Sequence, residues 1–187
     1  MNYKEKVSEL LLQNLSERAF KLWSGINSIV PDIWDRPTSS TGKHHKKLNG
    51  EIPTQAEHIY QMLYSASKVM SLFGIELKTN ESDKILLAIA MHDILKYGDM
   101  GSRPYTDNMH DKKAADMIAS NKETFTKLLT EDQFFTLEEA VRFHSGRWST
   151  DAKNKSFSWK DYNPETMFVH ILDMFSTYDL IQTDVRE

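Results

Sequence analysis

The chain has 187 residues, 40% of them hydrophobic and 27% charged, which suits one globular domain with a sizeable core. A net charge of −4 speaks against broad non-specific nucleic-acid binding, and the lack of cysteine excludes disulfides, cysteine-ligated zinc and thiol nucleophiles. Seven glycines, five prolines and few alternating β-branched runs point to an all-α fold.

The N-terminal MNYKEKVSEL is amphipathic and charged, unlike a signal peptide, and no apolar run reaches the length of a membrane span, so a cytoplasmic protein is expected. Residues 1–30 read as a helical region. Val7, Leu10, Leu11, Leu15, Phe20, Leu22, Trp23, Ile26, Ile29 and Val30 recur at helical spacing, with Ser16 or Gly25 as the break. Residues 31–53 form the longest irregular stretch, punctuated by Pro31, Pro37, Gly42, Gly50 and Pro53. Its hydroxyls, imidazoles and cations, among them Lys43, His44 and His45, suit phosphate binding and equally suit a solvated flap.

Residues 54–182 form the helical remainder, within one domain spanning 1–187. Thr54 with Glu57 three residues on predicts a capping box, opening a helix that carries His58 and ends at Gly74. Ser82 or Asp83 is expected to cap the next helix, whose apolar run Ile85–Met91 finishes on His92-Asp93, with Lys96 a turn later. Continued to Gly98, that helix puts Ile89, His92, Asp93 and Lys96 on one face. An imidazole and a carboxylate closing a buried helix are costly to desolvate unless something pairs with them, and one cation would satisfy both. Asp107 or Asn108 starts a helix bearing His110. Glu131–Ser145 is a helix with His144 on its apolar side, and Gly146 breaks it before Arg147-Trp148. Pro164 opens the last helix, to about Gln182, where His170 and Asp173 share a face. The pattern contains no internal repeat and predicts a bundle of about six to eight helices.

Together, His58, His92, Asp93, His110, His144 and Asp173 offer nitrogen and oxygen ligands without sulfur. Such a set suits a divalent metal such as Mn, Fe, Mg, Ni, Co or Zn, with one or two ions per chain. The order His…His-Asp…His…His…Asp resembles the HD-domain superfamily of metal-dependent phosphohydrolases, over roughly residues 37–177, and His92-Asp93-Ile94-Leu95-Lys96 looks like its HD-x-x-K form. The resemblance implies His58, His92, Asp93 and Asp173 as one ligand set, His110 and His144 as ligands of a second ion, and Lys96 beside the substrate phosphate. The stretch from Arg36-Pro37-Thr38 through His44-His45 to Glu57-His58 is similar to the entry of the HD domain in bacterial 3′-5′ exoribonucleases, with Pro53-Thr54-Gln55 where those have Gly-Gly-Leu. Lys96-Tyr97-Gly98, His144-Ser145-Gly146-Arg147-Trp148 and His170-Ile171-Leu172-Asp173 are similar to motifs of small phage-type HD proteins.

The implied function is a phosphohydrolase or phosphodiesterase that opens a nucleotide or short-oligonucleotide phosphoester with a metal-activated water. Asp93 and Lys96 are its catalytic residues, and Lys96, Lys43, His44, His45 and Arg147 contact substrate. No membrane or extended duplex partner is expected. Two other classes stand beside it: an HD-type di-iron oxygenase and a catalytically silent nucleotide-binding regulator.

Overall fold

A computed structural model describes residues 2–39, 47, 50–153 and 157–177. Among them there are eight α-helices and no strand. They are α1 (Tyr3–Asn14), α2 (Glu17–Asn27), α3 (Gln55–Leu72), α4 (Asn80–Met91), α5 (His110–Ser120), α6 (Lys122–Thr126), α7 (Glu131–Phe143) and α8 (Pro164–Thr177). The chain is therefore all-α, as its composition predicts.

Ser16, rather than Gly25, breaks the N-terminal region. Its hydroxyl caps α2 by accepting from the Ala19 N–H. Thr54 caps α3 through the Glu57 N–H, but the reciprocal half of the expected capping box is missing, because the Glu57 carboxylate pairs with Lys47 at 2.7 Å. The N-cap of α4 is Thr79, in a capping box with Ser82. Asp83 instead reaches back to α2, accepting from the Ser16 N–H at 2.9 Å and the Ser16 hydroxyl at 2.6 Å. The short α6 escapes the sequence pattern, since five residues are too few to show a period.

Helix α4 runs through the core. Every residue from Ser82 to Met91 is buried, and α2, α3, α7 and α8 pack around it. The α-helix stops at Met91, earlier than its sequence suggests. Residues 92–97 are successive turns closed by i→i+3 bonds such as Lys96 N–H to Asp93 C=O at 2.9 Å. The irregular stretch before α3 is closed at its ends by an antiparallel bridge between Pro37 and Thr54, with Thr38 N–H on Pro53 C=O and Gln55 N–H on Arg36 C=O. The Tyr97 hydroxyl donates to Pro37 C=O, and the Arg36 guanidinium lies over the Tyr97 ring at 4.1 Å.

Lys84 ties the far end of α4 to its neighbours. Its side chain is buried, and Nζ sits 2.9 Å from Glu165, 3.0 Å from Glu81 and 3.3 Å from Asp132. Burial opposes its charge, but these carboxylates outweigh burial and raise its pKa. Lys84→Ala is expected to cost about 2 kcal/mol in urea unfolding, below a fully buried pair because Glu81 and Asp132 face solvent. With a raised folded pKa, the contribution is complete below the ordinary lysine value and disappears as pH rises through the folded one. The variant and the native protein should therefore converge in stability at strongly alkaline pH.

Candidate metal centre

The four histidines at the centre are positioned by helix ends. His92 and His144 are the residues directly after α4 and α7, and His110 is the first residue of α5. His58 lies in the first turn of α3, four residues after its Thr54 cap. Carbonyls at a helix C-terminus lack intrahelical partners, and the imidazoles of His92 and His144 use them. His92 Nδ1 lies 2.8 Å from Ile89 C=O and His144 Nδ1 2.7 Å from Val141 C=O, each three residues back. His110 Nδ1 lies 2.8 Å from Asp107 C=O, again three residues back, in the turn that opens α5. His58 Nδ1 lies 2.9 Å from the Ser176 hydroxyl.

These partners fix the tautomers. A carbonyl only accepts, so Nδ1 of His92, His110 and His144 must carry the proton. Ser176 spends its own proton on Asp173 C=O at 2.7 Å, so its oxygen accepts from His58 Nδ1–H. In each neutral ring the Nε2 lone pair is left to face inward. Those lone pairs converge: His58 and His92 Nε2 lie 3.3 Å apart, and the His92–His144 and His110–His144 ring centroids are 4.9 and 5.3 Å apart. Two lone pairs this close would repel, and either a proton on His92 Nε2 or a metal ion shared between the rings removes the repulsion. Two nitrogens each about 2.1 Å from a shared ion would lie about 3.0–3.4 Å apart at octahedral or tetrahedral angles.

Asp93 divides its carboxylate between the two halves of this group. Oδ2 lies 3.5 Å from His92 Nε2 and 4.0 Å from His58 Nε2, and accepts from Lys96 Nζ at 2.5 Å. Oδ1 faces His110 Nε2 at 3.1 Å and His144 Nε2 at 3.7 Å, is buried, and makes no hydrogen bond. Two triads result, His58-His92-Asp93 and Asp93-His110-His144, and either could hold a metal ion. Asp173 Oδ1 stands 3.4 Å from His58 Nε2, at the edge of the first.

Burial pushes the His58 pKa down despite Asp173. Burial, together with the facing rings of His92 and His110, lowers His144 to about 4. Burial opposes protonation of His92 as well, but the adjoining Asp93 carboxylate outweighs it and the pKa rises. Asp93 is held well below the usual carboxylate range. Burial alone would raise it, and the charges of Lys96 and His92 prevail. His58 and His144 are therefore bare lone-pair donors at neutral pH, while His92 holds its second proton into a higher range. A divalent ion must displace that proton. Metal binding is expected to release protons, and affinity should fall up to about tenfold per pH unit below the His92 pKa. Calorimetry in buffers of different ionisation enthalpy measures both.

Of the residues singled out in the sequence, the fold brings together His58, His92, Asp93, His110 and His144, with Lys96 on Asp93 and Asp173 on His58. Arg147 lies on the exposed turn after His144, stacked on the Trp148 ring at 4.5 Å, outside this group of contacts. Lys43, His44 and His45 lie outside the described residues. His170, which shares a face of α8 with Asp173, pairs through Nδ1 with His144 C=O at 2.6 Å and packs its ring on Trp159. Arg142, on α7, is held by Asp116, Glu138 and Asp151. Ser176 was not legible as a site residue, although its place one turn after Asp173 is a usable signal; the carbonyls of Ile89, Asp107 and Val141 leave none. Compared with protein-family models, curated proteins and solved structures, the chain matches none of them.

Proposed function

We propose that this chain is a metal-dependent phosphohydrolase of the HD type, acting on a nucleotide or short-oligonucleotide phosphoester. One observation supports this most: a single buried carboxylate, Asp93, presents one oxygen to each of two histidine pairs and carries a lysine on the same side chain. A divalent ion bound there supplies Lewis acidity and lowers the pKa of water toward neutrality. The chain's own groups do the rest. The carbonyls of Ile89, Asp107 and Val141 hold the imidazoles in the donor tautomer, so no reorganisation is needed at the moment of reaction. Lys96 brings an ammonium to Asp93 Oδ2 and is placed to offset charge developing on a phosphoryl oxygen. In hydrolysis the oxygen of water bonds to phosphorus, the ester P–O bond breaks, and the departing oxygen takes a proton.

The test is a panel of nucleotide monoesters and short oligonucleotides with the metal-loaded protein. Release of phosphate or nucleotide is expected, with kcat reduced about 100-fold or more in Lys96→Met while metal content is retained. A fully loaded protein that hydrolyses none of the panel would overturn the reading. The shared carboxylate favours one other chemistry, a di-iron oxygenase, since it suits a pair of irons equally. Oxygen consumption by the iron-loaded protein with a diol or phosphonate, without phosphoester hydrolysis, would select that reading.

A further inference from the structure

Gln55 is the first residue of α3, three before His58 and therefore on the same face of the helix. Its side chain is only 1% exposed, yet neither Nε2 nor Oε1 has a hydrogen-bond partner. Its backbone N–H is engaged by Arg36 C=O, so the helix terminus is satisfied and the side chain alone is not. A buried carboxamide with both atoms unpaired is rare in a folded protein, because it forfeits its hydration for nothing.

The same residue borders a small cavity of about 20 Å³ between the 30–34 segment, α3 and the end of α4. Val30, Ile33, Trp34, Ile59 and Ile94 make its walls mostly apolar, and Gln55 and Asp93 are the polar residues among its lining. The volume exceeds the roughly 10–15 Å³ that one water needs, and is far too small for a ring. A buried water also needs two to four polar partners, and Gln55 Nε2, Gln55 Oε1 and the Asp93 carboxylate supply three. The cavity touches the one residue that both histidine pairs share.

We propose that this cavity is a built-in water site, through which the Gln55 carboxamide positions the Asp93 carboxylate. Gln55 Nε2 donates to the water, Oε1 accepts from it, and its second proton goes to Asp93. Gln55 thus acts as a positioning residue that never touches substrate. Groups that orient a ligand in this way typically change metal affinity when removed. The inference rests on the reading of the centre as a metal site, but not on hydrolysis.

Gln55→Leu keeps the volume and deletes the carboxamide. Titrated with Mn²⁺ alone, the variant is expected to bind about tenfold more weakly than the native protein, with unchanged helical circular dichroism. A crystal structure of the native, Mn²⁺-loaded protein should show a water within hydrogen-bonding distance of both Gln55 and Asp93. Mn²⁺ affinity in the variant within twofold of native overturns the proposal, as does a native cavity without that water or filled only by part of a bound nucleotide. If the variant fails to fold, the native crystal structure alone decides. Neither readout involves turnover, so a protein inactive on phosphoesters leaves this test intact.

Discussion

Asp93→Ala is expected to abolish the proposed phosphoester hydrolysis and, with it, the thermal stabilisation expected from added metal. The native chain at about 100 times the metal dissociation constant should gain about 2.7 kcal/mol against unfolding. The variant should gain almost nothing, because the substitution removes a ligand atom from both triads at once. Its metal-free stability also drops. Lys96 loses the carboxylate it pairs with in a buried setting, and breaking such a pair costs about 3–5 kcal/mol. Asp93→Asn separates the two effects. It keeps the shape and should retain more of the fold while still losing the expected metal binding, since an amide is a poor ligand beside imidazole. Calorimetric melts of the three proteins, with and without metal, measure every term. A metal-dependent stabilisation that survives in Asp93→Ala would remove the residue from the centre.

The second large effect lies outside the ligand set. Gly146 has φ +59°, and a Cβ there would sit 2.9 Å from His170 Cε1. Gly146→Ala should cost about 1–2 kcal/mol for the left-handed backbone alone. Relieving the clash adds to this, for a total of about 2–4 kcal/mol in urea unfolding. His170 Nδ1 pairs with His144 C=O, and the His144 ring hangs from Val141, so the strain is delivered to a residue of the second candidate triad. Metal affinity should weaken along with stability. His170→Ala in the same chain opens the space, and the double variant should recover the clash part but not the backbone part. If the two substitutions add with no interaction, the contact between Gly146 and His170 carries no strain.

Much of this was legible in the sequence because it depends on period and punctuation. The apolar run before His92-Asp93 announces a buried helix, and Pro164 marks where α8 begins. The helix lengths were harder. Continuing the pattern carries α4 to Gly98 and α7 to Ser145, but both stop just before their histidine, because the ring takes the carbonyl three residues back and the chain then turns. The one-face argument for His92, Asp93 and Lys96 thus gave the right neighbours by the wrong geometry: i→i+3 turns also bring Lys96 onto Asp93. What a sequence could not show is which oxygen of Asp93 faces which histidine pair, since that depends on where α3, α5 and α7 cross α4. Nor could it show the unpaired amide of Gln55, which reads as an ordinary polar residue at a helix start.

The central claim is that four imidazoles and a shared carboxylate hold metal, and elemental mass spectrometry tests it most directly. The native protein, loaded anaerobically and passed through a desalting column, should carry about two divalent ions per chain. His110→Ala and His144→Ala should each carry about one, because the His58-His92-Asp93 triad survives in both. A native protein that retains no metal above background under the same treatment would contradict the account.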